Sequence, residues 1–225
     1  IGVVDQNGHV LRCDTLLGLY AADVLDTHPG APIIGDIKCS GALFEEIERL
    51  GGQAILWKTG HSLIKDKMAE LRAPLAGELS GHIFFNDRYY GFDDALYCAI
   101  RLINIIAEAK EGGLSSLTSH IAPRINTPEI RIEVPEADKF PLAGKIRDAV
   151  MQDAGLAPFI NSIDGVRYDR DGNWWLIRPS NTQNAFVVRF EATDEQNMKQ
   201  VQQGLLRVLQ PFNLDQDLIK ELDFI

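Results

Sequence analysis

The sequence predicts an α/β unit, a mixed sheet with flanking helices, followed by an α+β unit, and three observations indicate this order. In the first half, short apolar runs alternate with amphipathic segments of helical period, as in sheets with parallel strand pairs. After Lys110 the chain becomes rich in Gly, Ser, Thr and Pro, which predicts a linker or hinge over residues 112–128. Beyond it, residues 129–134 alternate strictly, as a half-buried antiparallel strand does.

The composition is that of an ordinary globular protein, because 45% of the 225 residues are hydrophobic and 24% are charged. The net charge of −10 argues against non-specific binding to nucleic acids, which depends on cationic side chains, although local cations can still hold a small anion. Three widely spaced cysteines form no ligand pair or disulfide framework, and we see neither a secretory signal nor a membrane span. We therefore predict a cytoplasmic protein with reduced thiols and no membrane or nucleic-acid partner.

The chain begins with a predicted hairpin and a predicted helix. Two short apolar runs flank Asn7-Gly8, a pair that favours the positive φ of a tight turn. Asp14 then stands where an N-cap is expected, ahead of apolar residues at helical spacing. The helix should end at 28–30, where the sequence is His-Pro-Gly.

Two strand–loop–helix units and a longer helix complete the first half. We predict strands over 32–37, 53–60 and the end of 75–85, and helices over 41–52, 61–71 and 92–110. The last of these helices should be capped by Asp93 or Asp94. Ligands of such sheets usually bind at the loops that leave the carboxyl ends of the strands.

The second half follows a different pattern. We predict a helix over 140–152, then strands around 160–169, 173–179 and 185–192, and a final helix over 194–210. Asp194 should begin that last helix, with Glu195 in its first turn.

Polar residues concentrate in three loops, 58–62, 77–82 and 178–182. In the third, a guanidinium that can grip two phosphate oxygens precedes small hydrogen-bonding residues, an arrangement that fits an anion site but also a simple polar turn. In the second, Glu78 and Ser80 stand between glycines, which suits a pair of sugar hydroxyls, and the carboxylate should have little to pack against. His61 is either a titrating acid/base or a hydrogen-bonded structural residue.

Seven segments together resemble the α-D-phosphohexomutase family, most closely its bacterial phosphomannomutase/phosphoglucomutase members. They occur in this order: GDIKCS, WKTGHSLIK, GELSGHIFF, YYGFDDALY, NTPEI, IDGVRYD and RPSNTQNAFVVRFEA. The resemblance implies that residues 1–9 are the last strand of a preceding α/β domain. It further implies an α/β sugar-binding domain over 10–121 and an α+β, TATA-binding-protein-like, phosphate-binding domain over 122–225.

The resemblance also implies roles for individual residues. The sugar ring would be bound by one loop and the non-reacting phosphate by another; these substrate-binding residues are Glu78, Leu79, Ser80, Gly81 and His82, and Arg178, Pro179, Ser180, Asn181 and Thr182. Lys38 and His61 would lie at the reacting end and be catalytic, with His61 as general acid/base. Asn184 stands where relatives usually carry proline, which predicts a less rigid phosphate loop.

The implied activity is the interconversion of hexose 1-phosphate and 6-phosphate, of mannose or glucose, through a phosphoserine and a hexose 1,6-bisphosphate. Neither the phosphoserine nor the family's magnesium loop, Asp-Gly-Asp-x-Asp-Arg, occurs in this sequence, which opens at Ile1 without methionine. We therefore expect a piece of a longer polypeptide whose N-terminal domains supply the Mg²⁺ ligands. This chain alone should bind the phosphosugar without turning it over.

Two alternatives remain open. The first is a phosphoglucosamine mutase, against which Leu79 argues because such relatives usually carry glutamine there. The second is a non-catalytic fragment that binds sugar phosphates.

Overall fold

The computed structural model describes residues 1–109 and 113–222 and divides the chain into two units, 1–122 and 123–225. The first unit is α/β and the second is α+β, so the predicted fold class is confirmed. Among the described residues, no helix combines the length and the apolar character that crossing a membrane requires. The predicted boundaries at residues 9 and 121 stay predictions.

The first unit opens with the expected hairpin, in which β1 (Val3–Val4) pairs antiparallel with β2 (Val10–Leu11). Of the Asn7-Gly8 pair only Gly8 has a positive φ, of +85°. The side chain of Asp5 shapes the turn, because its carboxylate accepts hydrogen bonds from the backbone N–H groups of Asn7 and His9.

Helix α1 (Cys13–Thr27) does not use Asp14 as its N-cap, so that prediction is wrong. The N-cap position is Arg12, and Asp14 lies buried in the first turn. Its carboxylate accepts from the guanidinium of Arg12 and, 26 residues along the chain, from the backbone N–H of Ser40. Asp14 therefore uses its carboxylate for a tertiary hydrogen bond with the loop after β3 and does not cap the helix.

A four-stranded mixed sheet forms the centre of the first unit, as expected. Its strands and helices are β3 (Pro32–Asp36), α2 (Gly41–Arg49), β4 (Gln53–Trp57), α3 (His61–Leu71), β5 (Leu75–Gly77) and β6 (Ile83–Phe85). The strand order is β4-β3-β5-β6, with β3 parallel to both β4 and β5 and β6 antiparallel to β5. Strands β3, β5 and β6 are almost entirely buried, whereas the edge strand β4 is only partly buried.

The predicted hinge is only partly irregular. Helix α4 (Ala95–Glu108) is capped by Asp94, as expected, and α5 (Gly113–Thr118) lies within the segment predicted to be a linker. The segment is helical there because Leu114 is buried in the core of the first unit and Leu117 packs against that core. Residues 110–112, the end of the predicted long helix and the start of the predicted hinge, lie outside the described residues.

The second unit is a six-stranded antiparallel sheet covered on one face by helices. Its elements are β7 (Ile125–Asn126), β8 (Ile130–Glu133), α6 (Glu136–Gln152), β9 (Ile160–Asn161), β10 (Val166–Arg170), β11 (Asn173–Pro179), β12 (Ala185–Ala192), α7 (Glu195–Leu209) and α8 (Asp215–Leu222). The order is β7-β12-β11-β10-β9, and β8 also pairs with β12. Asp194 caps α7 as predicted, whereas α6 begins earlier than expected and α8 was not predicted.

The buried carboxylate of Glu46, on α2, contacts two largely exposed basic side chains and so links α2 to the segment after α5. The carboxylate of Glu46 accepts two hydrogen bonds of 2.7 Å from the guanidinium of Arg49 and lies 2.9 Å from Nε2 of His120. Burial raises the pKa of Glu46, but the contacts with Arg49 and His120 outweigh it and leave that pKa below its ordinary value.

Glu46→Gln should destabilise the chain in a pH-dependent way. Because the pKa is lower in the folded state, the ionised carboxyl contributes stability above its unfolded pKa, and that stability is lost as the pH falls through the folded pKa. We expect a loss of about 1 kcal/mol at pH 7 that shrinks below about pH 4, measured by urea unfolding. The exposed Glu48→Gln is the matched control. An equal loss of unfolding free energy at pH 7 and below about pH 4 would contradict a stabilising role for the ionised carboxylate of Glu46.

Candidate functional site

Asp36, the last residue of β3, ties together the three loops at the carboxyl end of the parallel strands. Its buried carboxylate accepts from the N–H of Leu79 at 3.1 Å, the hydroxyl of Thr59 at 2.9 Å and the thiol of Cys39 at 3.1 Å. Burial raises the pKa of Asp36, and the ammonium of Lys38, 3.7 Å from one oxygen, opposes this. Lys38 thus lies in the loop as expected, with its side chain buried.

Asp36 was not among the predicted site residues, although it stands two residues before Lys38. The sequence did carry a signal for it, because an aspartate at the carboxyl end of an apolar strand in an α/β sheet lies where ligand-binding loops begin.

Glu78 is far more constrained than expected. The residue is only 4% exposed, and its two oxygens accept from the N–H of Gly60 at 2.8 Å and from the hydroxyl of Ser80 at 3.0 Å. The expectation that it has little to pack against is therefore wrong. Gly60, with φ of +135°, brings the loop before α3 to this carboxylate. A carboxylate has about four acceptor positions, so Glu78 and Ser80 can still receive sugar hydroxyls.

Leu79 and Gly81 shape the five-residue turn that joins β5 to β6. The turn is closed by backbone hydrogen bonds from Gly81 to Glu78 and from Glu78 to His82. Gly81 has φ of +92°, and the side chain of Leu79 packs against the core. Their contribution to a site is therefore the backbone shape that presents Ser80 and His82.

His61 and His82 lie together beside Asp93, which was not among the predicted site residues. The rings of the two histidines are 4.3 Å apart between centroids, and both side chains are exposed by more than 40%. Nδ1 of His82 lies 2.8 Å from Oδ2 of Asp93, whereas Nε2 of His61 lies 3.6 Å from the same oxygen. Because a carboxylate only accepts, neutral His82 carries its proton on Nδ1 and keeps a basic Nε2.

The same three side chains could hold a transition-metal ion, since their ligand atoms all lie within 4.8 Å of one another. Two imidazole nitrogens and one carboxylate oxygen suit Zn²⁺, whereas Mg²⁺ requires oxygen ligands in an octahedron. This set therefore does not fit Mg²⁺.

In the second unit, Arg178 is positioned by an aspartate that precedes a glycine. It is the penultimate residue of β11, only 4% exposed, and its Nε donates to Oδ2 of Asp164 at 3.0 Å. Gly165, with φ of +82°, is required because a Cβ there would lie 2.5 Å from Cβ of Arg178. Nη2 of Arg178 is buried and has no hydrogen-bond partner among the described residues. A buried guanidinium N–H in this state is suited to an anion.

The loop after Arg178 presents two free side chains on a fixed turn. Ser180 uses its hydroxyl to accept from the backbone N–H groups of Thr182 and Gln183. Asn181 and Thr182 are exposed, and their side chains contact no hydrogen-bond partner in the described part of the chain. Pro179 is the last residue of β11 rather than part of the loop.

Two contacts hold the far side of this loop, where Asn184 replaces the proline expected from the resemblance. The buried ammonium of Lys139 donates to the carbonyl of Gln183 at 2.9 Å, and the N–H of Val134 donates to the carbonyl of Asn184 at 3.0 Å. The loop is therefore held by its backbone carbonyls without a proline.

Asp36→Ala should loosen the loops of the first unit. It leaves the partly buried N–H of Leu79 without its acceptor, at a cost of about 1 kcal/mol in unfolding free energy. Urea unfolding measures the loss, and hydrogen exchange should show faster exchange of the Leu79 amide. Exposed Asp66→Ala is the control. Unchanged protection at Leu79 would contradict the role given to Asp36.

Lys139→Met should make the loop after Arg178 more mobile and leave the packing of α6 unchanged. Methionine fills a similar volume but cannot donate to Gln183, so amides 181–184 should gain fast motion in NMR relaxation, with a stability loss of about 1 kcal/mol. Lys145→Met, on the exposed side of the same helix, is the control. Equal relaxation in both variants would show that Lys139 does not hold the loop.

Comparison with known proteins places both units in one family. Residues 12–124 match the model for phosphoglucomutase/phosphomannomutase, alpha/beta/alpha domain III, and residues 129–208 match its C-terminal domain. The chain is 44% identical over 202 residues to the phosphomannomutase/phosphoglucomutase of Pseudomonas putida, covering 89% of this chain and 42% of that protein. It is 37% identical over 212 residues to the phosphoglucomutase of Neisseria meningitidis, covering 93% and 45%.

A solved structure agrees with these sequence relatives. A phosphoglucomutase/phosphomannomutase family protein from Burkholderia thailandensis superimposes with a TM-score of 0.83 at 39% identity, over 93% of this chain and 44% of that one. The chain thus spans less than half the length of the relatives that it matches. It belongs to the phosphoglucomutase/phosphomannomutase family, of which it carries domain III and the C-terminal domain.

Proposed function

We propose that this chain provides the sugar-binding and phosphate-binding parts of an enzyme that interconverts hexose 1-phosphate and hexose 6-phosphate, of mannose or glucose. The observation that carries the proposal is the buried Arg178, whose Nη2 has no hydrogen-bond partner among the described residues and lies at the head of a loop of small polar residues. Arg178, Ser180, Asn181 and Thr182 bind the non-reacting phosphate, the guanidinium through charge-assisted hydrogen bonds.

The first unit binds the sugar ring. Glu78 and Ser80 both accept hydrogen bonds from neighbouring sugar hydroxyls, because Ser80 already donates its one proton to Glu78, and this contact at 3.0 Å fixes the spacing of the two acceptors. A carboxylate that accepts from two hydroxyls tolerates either epimer, which fits an enzyme for both mannose and glucose phosphates. Lys38 adds positive charge near the reacting end, where Asp36 limits its movement.

His61 and His82 lie where proton transfer at the reacting hydroxyl would take place. His82 is the better general base, because Asp93 orients its ring at 2.8 Å and leaves Nε2 free to take a proton. His61, predicted as the acid/base, lies next to it but makes only the longer approach to Asp93. We assign His61 and Lys38 to the binding of the reacting phosphate group.

The remaining parts of the reaction are proposed to reside in N-terminal domains of the same polypeptide, in the cytoplasm. These domains would carry the phosphoserine and the Mg²⁺ ligands, and Mg²⁺ when bound would neutralise charge on the transferring phosphoryl group. Hexose 1,6-bisphosphate is the intermediate, since the phosphate returned to serine is not the one donated.

The test is to substitute Arg178 in the polypeptide that joins this chain to those domains. Arg178→Lys should lower kcat/KM for glucose 1-phosphate and mannose 1-phosphate by about ten- to a hundredfold, because an ammonium lacks the planar fork. Arg147→Lys, exposed on α6, should have no effect. Full activity of the Arg178→Lys variant would contradict the phosphate-binding role and indicate that the loop is a simple polar turn.

Two further outcomes decide between the alternatives. Faster conversion of glucosamine 1-phosphate than of either hexose phosphate would identify a phosphoglucosamine mutase. No turnover of any of the three, together with NMR shifts at 178–182 on titration of this chain with glucose 6-phosphate, would identify a non-catalytic binding protein.

A further inference from the structure

The second unit contains a cavity at the opposite end of β11 from the phosphate loop. Its volume is about 480 Å³, within the usual range of small-molecule sites. Its floor is formed by β10 and β11 near their hairpin, and its wall by α7. Because β11 spans Asn173–Pro179 at about 3.3 Å per residue, this hairpin end lies roughly 20 Å from the phosphate loop. A ligand in this cavity would therefore be a second one.

The floor of the cavity consists of two aromatic residues from paired strands. Tyr168 and Trp175 are register partners, and their rings lie nearly parallel at 12°, with centroids 5.7 Å apart. Trp175 is only 1% exposed as a whole residue, but its indole N–H keeps access to the cavity and has no hydrogen-bond partner within residues 1–109 and 113–222. Because this N–H can donate and no described group accepts from it, it is available to an acceptor atom of a ligand in the cavity.

The space beside that N–H exists because residue 204 is glycine. Gly204 lies on α7 and lines the cavity, and a Cβ there would lie 3.5 Å from Nε1 of Trp175. Any longer side chain would extend into the cavity. Glycine in the interior of a helix costs about 1 kcal/mol of stability relative to alanine. The glycine at position 204 therefore keeps the cavity open at a cost to the stability of α7.

The rest of the lining is mostly polar, with Leu156 and Val201 as its apolar members, and its two charged residues have opposite signs. The hydroxyl of Tyr168 and the amide of Gln200 contact no hydrogen-bond partner in the part of the chain that the structure describes. Gln200 and Gly204 lie one helical turn apart on the same face of α7. The one cation, Arg170, has its Nε 3.6 Å from the carboxylate of Asp171, the one anion. This pairing disfavours a phosphate or another charged ligand.

We propose that this cavity binds the ring of an uncharged saccharide. A sugar ring offers C–H groups to the aromatic floor, hydroxyl oxygens that accept from the indole N–H, and hydroxyls that exchange hydrogen bonds with Gln200 and Tyr168. The assignment does not depend on mutase activity, because no residue of the phosphate loop lines the cavity.

The test is an NMR titration of the 225-residue chain with methyl α-D-glucopyranoside, following the indole N–H signals of its three tryptophans. Trp175→Phe identifies the signal of Trp175. That signal should move and saturate in the millimolar range expected for a ligand of this size, while the signals of Trp57 and Trp174 stay in place. Inorganic phosphate is the charged comparison and should leave the Trp175 signal unchanged.

Three variants make the assignment specific. Gly204→Leu should abolish the shift by filling the cavity, whereas Gly144→Leu, at an open position of α6, should preserve it. Gln200→Ala, on the exposed surface of α7, cannot affect the core and should raise Kd about fivefold.

A Trp175 signal that stays in place, or that moves equally in Gly204→Leu and Gln200→Ala, would overturn the proposal. A shift at lower concentrations of phosphate than of glucoside would make the cavity an anion site and overturn it as well.

Discussion

The loops of this protein depend on buried carboxylates that stand at strand ends and accept from backbone and side-chain donors of other loops. Asp36 is the central case, because it ends β3 and receives Leu79, Thr59 and Cys39 from three different loops. Glu78 does the same from β5, by holding Gly60 and Ser80. An acceptor buried in this way is costly unless it is satisfied, so each carboxylate specifies one arrangement of the loops around it.

In the second unit, buried cations hold the loop in the way that buried carboxylates do in the first. Asp164 holds the buried Arg178 from one side, and Lys139 holds the carbonyl of Gln183 from the other. Residues 180–184 contain no proline, and this loop gains its order from these contacts and from the turn at Ser180. A guanidinium held through Nε keeps its outer nitrogens pre-oriented, which lowers the entropy lost when an anion binds.

The residues that hold the loops in place are therefore different from those that are free to contact a ligand. The fixed residues are buried, whereas His61, His82, Asn181 and Thr182 retain solvent access and unused hydrogen-bonding groups. The cavity beside Trp175 differs from both loops, because its lining combines two stacked aromatic rings with an indole N–H that has no hydrogen-bond partner among the described residues. Rigid loops suit a reaction that depends on positioning, and an unsatisfied donor suits recognition.

The sequence alone determined the two fold classes, most helices and strands, and the family, because apolar periodicity, caps and motifs are local signals. Only the tertiary structure decided that Asp14 serves a loop instead of capping α1, and that residues 113–118 are helical. It also paired His82 with Asp93 and Arg178 with Asp164, and it placed Gly204 against the indole of Trp175. These contacts join residues 11 to 29 positions apart, and local pattern carries no information about them, since strand register and helix packing choose the partners.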